Sequence, residues 1–144
     1  MTPTLLGRWQ TRLLLFGTAG LLVTLLFGRF FGDLLTPLVL LAYMLALGFG
    51  WDVLYQYLQS WRWDRDWPPV FQLTAGIGEG AVIWGLVQAA RATTIGGLPG
   101  VAASLTAGQF CAHYATVWFV MFLATQGPLR ILFPRWRYRG GELW

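Results

Sequence analysis

Residues 34–58 read LLTPLVLLAYMLALGFGWDVLYQYL, twenty-five residues in which Asp52 is the one charged side chain. A helix rises about 1.5 Å per residue, so about 20 residues cross the roughly 30 Å of hydrocarbon in a bilayer. Three further stretches share this character, at 13–31, 70–90 and 101–125. They predict an all-α chain folded as an integral membrane four-helix bundle with short loops. Residues 1–144 then form a single membrane domain, with 127–144 as an interfacial basic and aromatic C-terminal tail.

Composition points the same way. Of 144 residues, 11% are charged and 56% hydrophobic, with a mean hydropathy of +0.55. A soluble globular domain has about 25% charged residues, and one this small could not hide so much apolar surface. Intrinsic disorder requires the opposite composition, and a disulfide-stapled module requires more than the lone Cys111. The net charge of +4 comes from arginines at the edges of apolar runs, with no basic face of the kind a nucleic acid needs, so no nucleic-acid partner is expected.

Residues 13–31 resemble a signal-peptide core behind Arg8 and Arg12, but 28–33 contain no small-x-small cleavage site, so an uncleaved first span is expected. Glycine and proline mark the joints. Gly32-Asp33 makes a turn, Pro68-Pro69 opens the third span with Asp66 placed to cap it, Gly96 to Gly100 turns into the fourth, and Gly127-Pro128 ends it.

Eight arginines, at 8, 12, 62, 65, 130, 135, 137 and 139, fall on one side of such a bundle, while Arg29 and Arg91 fall on the other. The positive-inside rule then places both termini in the cytoplasm. Trp9, Trp61, Trp63, Trp67, Trp136 and Trp144 gather at the same interface, where amphipathic rings are favoured. Small size and minimal loops suggest a bacterial inner or internal membrane.

Between helices in lipid, small residues let backbones approach. Pairs spaced by four recur as Gly28/Gly32, Ala46/Gly50, Gly76/Gly80, Ala81/Gly85 and Gly108/Ala112. Of these, Gly76, Gly80, Gly108 and Ala112 are the expected packing positions.

The ionisable residues within the spans are a functional hypothesis by default, because burying them in lipid is costly. Asp52, Glu79 and His113 belong to this set, joined by Gln109. Glu79 and His113 lie 17 residues either side of Gly96, which predicts matching depth near the midplane. At 100° per residue, Thr106, Gln109, His113 and Thr116 share one face of span four, and Asp52, Tyr55, Gln56 and Gln59 share one of span two.

Three uses of this cluster stay open. Glu79 and His113 can form a clasp that sets helix register, while Asp52 answers an arginine near the rim. The set can instead relay protons, given histidine's titration near neutrality. Or His113 can be the axial ligand of a tetrapyrrole. No metal-ligand set, catalytic motif or P-loop is present, and Cys111 has apolar neighbours that keep a thiol inert, so no enzymatic role is expected.

The loop carries Trp61, Arg62, Trp63, Asp64, Arg65, Asp66 and Trp67, and the tail carries Arg135, Trp136, Arg137, Tyr138 and Arg139. Alternating rings and guanidiniums suit anionic lipid headgroups or a docking protein. The leading expectation is a non-enzymatic accessory, anchoring or assembly subunit that binds a larger membrane protein or its own copies. A small oligomeric proton-coupled transporter or channel using Asp52, Glu79 and His113 is the alternative, and a pigment- or haem-binding subunit the third.

Overall fold

The computed structural model describes residues 3–94 and 96–143, so Trp144 lies outside the described residues. The chain is 76% helical, with no strand among the described residues. Leu5–Leu15 (α1), a π-helical turn at Phe16–Gly20, and Leu21–Phe31 (α2) form one continuous rod. Leu35–Ser60 (α3), Pro69–Arg91 (α4) and Ala107–Gln126 (α5) follow, and two short helices, Pro128–Leu132 (α6) and Pro134–Tyr138 (α7), close the chain. Among the described residues, four helices are long and apolar enough to cross a membrane: Leu5–Phe31, Leu35–Ser60, Pro69–Arg91 and Ala107–Leu132.

The rod packs against α3 and α5, and α4 packs against both of those, so the four long elements close a ring. Leu40, Ile83, Val87 and Val117 fill its centre, together with fully buried His113, Thr24 and Thr36. Large apolar side chains also point outward, including Leu22, Leu26, Phe30 and Ile77.

The first helix starts eight residues earlier than position 13, so Arg8 and Arg12 belong to it rather than flank it. In the π turn the Leu21 N–H reaches back to the Phe16 carbonyl, which inserts an extra residue and turns the face of α2 away from that of α1. The turn at Gly32 adopts the left-handed region (φ 68°), where glycine carries no Cβ penalty. Asp33 then caps α3, accepting from the backbone N–H of Leu35 and Thr36 and from the Thr36 hydroxyl. These donors hold its carboxyl below the ordinary aspartate range, the Thr36 hydroxyl contributing most.

Three further features differ from the sequence-based expectation. Pro68, not Asp66, is the N-cap of α4, with Pro69 at the first helical position. The fourth long helix begins at Ala107, not at 101, because residues 96–106 are folded as a pinned loop. Arg91 donates to the carbonyls of Ala103 and Leu105, and the Ala102 N–H donates to Thr36 Oγ1. The C-terminal tail, finally, is not a free interfacial segment. Thr4 N–H donates to the Gly140 carbonyl at 2.8 Å, Leu143 N–H to Gln10 Oε1 at 2.8 Å, and Trp136 Nε1 to Thr11 Oγ1 at 2.6 Å. A Cβ on Gly7 would strike the backbone of Gly140 to Glu142, so the tail lies directly on α1.

Candidate functional site

Three helices meet at a buried arginine. Arg8 and Arg12 sit one turn apart on α1, Asp52 and Tyr55 on α3, and Glu79 on α4. Arg12 grips Asp52 with two parallel bonds, Nε to Oδ2 and Nη2 to Oδ1, both 2.8 Å. This fork-to-fork geometry is the strongest form of the arginine–carboxylate bond. Arg12 Nη1 lies 3.7 Å from Glu79 Oε2, and the Tyr55 hydroxyl donates to Glu79 Oε1 at 2.7 Å.

Glycines make room for this cluster. A Cβ at Gly48 would overlap the Arg12 guanidinium, so the absence of a side chain there lets Arg12 cross α3 to reach Asp52. At Gly76 and Gly80 a Cβ would overlap the rings of Trp118 and Tyr114 from α5. These two positions therefore admit aromatic rings of α5, where the sequence-based expectation was another backbone. Tyr114 completes the seam by donating its hydroxyl to the Gly76 carbonyl at 2.6 Å.

A cavity of about 230 Å³ leads to the cluster. Asp52, Glu79 and Arg12 line its inner part, and Asp66, Trp67 and Arg130 line it near the loop and tail. Arg8 forms part of the wall, with its guanidinium 5.0 Å from the centre of the Trp67 ring and 6.0 Å from that of Tyr55. Its Nη2 donates to the neutral Gln59 Oε1 at 2.7 Å.

His113 is elsewhere. Its Nε2 is 3.0 Å from Thr24 Oγ1, and its ring meets Phe27 and Phe31 edge-on at 5.4 and 6.1 Å. Among the described residues it makes no bond to Glu79, so the expected clasp does not form. The late start of α5 is the reason. Glu79 lies 12 residues, about 18 Å, before the end of α4, whereas His113 lies only 6 residues, about 9 Å, past the start of α5. Helical phase separates them further, because neighbouring Tyr114 is the residue aimed at α4. His113 Nε2 is engaged by Thr24, its Nδ1 is buried without a hydrogen-bond partner among the described residues, and neither described cavity is lined by it.

Other expected positions divide. Gln109 is not a deep polar residue but half of a capping box with Thr106 at the start of α5. Gly108 and Ala112 are exposed, and Cys111 is exposed on the same helix. Trp136 is buried, 4% exposed, instead of lying at the interface, whereas Arg135, Arg137 and Arg139 are exposed. Trp61 and Trp63 project outward. Arg62 bonds Asp64 through Nη2 at 2.7 Å, and that partner holds the Asp64 carboxyl below its ordinary range. Arg65 is exposed, its carbonyl accepting from Gln59 Nε2. Trp67 belongs to the cavity wall.

Sequence reasoning expected Asp52 to answer an arginine near the rim without naming it; that arginine is Arg12, and the parts of Arg8 and Gly48 were missed. The available signal was the spacing of Arg8 and Arg12, one helical turn apart beside the apolar Leu5, Leu6 and Leu13 to Leu15, which fits a helix face as well as a flank. The chain matches no known protein family, no curated protein and no solved structure.

Proposed function

We propose that the chain is an integral membrane protein with four spans, and that its cavity is a one-sided vestibule through which a small proton-coupled carrier or channel loads Glu79. The outward Leu22, Leu26 and Ile77 support the membrane setting, since a bundle in water would carry polar residues there. The bond between Thr4 and Gly140 supports ends on one side, and the arginine count supports the cytoplasmic side.

The observation that carries the functional reading is the cavity reaching two carboxylates and an arginine within the spans, where ionisable groups mark ion pathways. Glu79 is the mobile member of the pair. Asp52 is held by two short bonds, while Glu79 Oε2 has only the 3.7 Å contact with Arg12. A proton on Oε2 leaves Arg12 neutralised by Asp52 alone. His113 has no part in this pathway, and no tetrapyrrole role is assigned to it.

In liposomes with an internal pH dye, Glu79→Gln is expected to slow proton-coupled flux at least tenfold, with the variant folded and inserted as the parent is. Equal rates for the two proteins would end this reading.

A second reading, an accessory subunit of a larger membrane complex, is favoured by Trp61 and Trp63, 75% and 95% exposed, and by the exposed Gly108 and Ala112 on α5. Its expected result is stoichiometric co-purification of a larger membrane protein in mild detergent, lost on Trp61→Ala/Trp63→Ala. A homogeneous mass equal to the chain or its multiples counts against it.

A further inference from the structure

We propose that the cavity binds a singly charged oxyanion carried on a small apolar body, with Arg8 as its receptor. This names the solute class for the vestibule proposed above and rests on that reading for its setting.

The argument begins with charge. Both carboxylates of the inner cluster are engaged, Asp52 by the Arg12 fork and Glu79 by Tyr55 and Arg12. No carboxylate among the described residues lies within ion-pair distance of Arg8. The side-chain hydrogen bond from its guanidinium goes to the neutral Gln59, and its Nε is buried without a partner. A guanidinium has five N–H donors in a rigid fork, and removing its charge from water is costly unless an anion faces it. The like charge of Arg12 one turn away adds to that cost.

The surroundings then select the ligand. Trp67 and Tyr55, whose rings are 5.2 Å apart, lie together beside the Arg8 guanidinium and attract it through their faces. Carboxylates and phosphodiesters match that fork with two parallel bonds. Arg8, Arg12 and Arg130 line the cavity against Asp52, Asp66 and Glu79, so the lining has no net charge to spare for a dianion, whose second charge would face those carboxylates. One negative charge fits the fork of Arg8, which has no ion-pair contact among the described residues. Met44, Trp118, Met121 and Phe122 also line the cavity and offer an apolar seat for the body of the ligand. At about 230 Å³ the space is below the roughly 300–1,000 Å³ of sites for drug-sized molecules, so the body is small. Two sources carry this chemistry: a soluble organic acid, and the phosphodiester of an anionic lipid entering headgroup first.

The test uses the full chain in nanodiscs. In phosphatidylcholine discs, titration calorimetry with benzoate is expected to give binding, with benzylamine and benzamide at least tenfold weaker. Arg8→Gln should weaken benzoate at least tenfold, and Arg8→Lys should keep part of the affinity. In the lipid arm, discs containing phosphatidylglycerol are compared by native mass spectrometry. Retention of that lipid by the parent but not by Arg8→Gln supports the lipid source, and benzoate binding in phosphatidylcholine supports the soluble acid. Benzylamine bound as well as benzoate, unchanged benzoate affinity in folded Arg8→Gln, or neither oxyanion bound by the parent overturns the assignment. If both variants fail to fold, the benzoate-against-benzylamine comparison on the parent decides it. Binding without Glu79-dependent flux keeps this assignment and removes the carrier reading, while flux without binding does the reverse.

Discussion

Asp52→Ala lowers the unfolding free energy by about 3–5 kcal/mol, the cost of leaving a buried arginine without its partner. Asp52 takes two 2.8 Å bonds from Arg12, and their side chains are only 5% and 15% exposed. Once Asp52 is gone, Arg12 keeps the 3.7 Å contact with Glu79 and the face of the Phe16 ring at 5.8 Å, neither of which replaces two short bonds to a carboxylate. The helix offers no easy retreat, because the guanidinium lies in the notch left by Gly48, between α1 and α3. The measurement is equilibrium unfolding of the purified chain in mixed micelles. The double replacement Arg12→Met/Asp52→Leu serves as the control. Removing both charges for apolar groups of similar volume is close to neutral in comparable pairs, so the double variant should recover most of the loss. A loss below about 1 kcal/mol for Asp52→Ala would mean that Arg12 reaches water or lipid headgroups, and the cluster would then not be a buried one.

Trp136→Ala is the second large effect, at about 3–5 kcal/mol, the range for truncating a large buried aromatic. The ring is 4% exposed, and its Nε1 donates to Thr11 Oγ1 at 2.6 Å, so truncation opens a hole and removes one of the two hydrogen bonds of the Thr11 hydroxyl, which still donates to the Gly141 carbonyl. Tyr138→Ala, two residues on and 82% exposed, should change stability by less than about 0.5 kcal/mol. Limited proteolysis reads the same contrast locally. In Trp136→Ala the chain after Gly127 should be cut faster than in the parent or in Tyr138→Ala, since the tail is held on α1 by Trp136 together with the Thr4–Gly140 and Gln10–Leu143 bonds. Equal cutting of all three proteins would mean the tail is secured without Trp136.

The two effects mark where a linear reading stops. Trp136 stands among Arg135, Arg137 and Tyr138, a local pattern that suits an interface, and Arg135 and Arg137 are indeed exposed. Nothing nearby in sequence announces that Gly7 leaves a flat place on α1 for the backbone of Gly140 to Glu142. In the same way Arg12 borders an apolar window, where arginine serves as a flank, and only the partner 40 residues away turns it inward.

Residue order alone was enough for the all-helical class, for four long apolar helices and for the joints at Gly32, Pro69 and Gly127, because these rest on hydropathy and on backbone preferences that act within a few residues. It was also enough to place Asp52, Tyr55 and Gln59 on one face of α3, since helical phase is local. The pairing of the polar groups was decided by the tertiary structure. The loop pinned by Arg91 and Thr36 delays α5 to Ala107, which lowers His113 relative to Glu79, and the π turn faces Thr24 rather than Arg12 toward α5. Depth and rotation of one helix against another add up small offsets from every loop and bulge between them. Which charges meet is therefore a property of the packed bundle and not of any one segment.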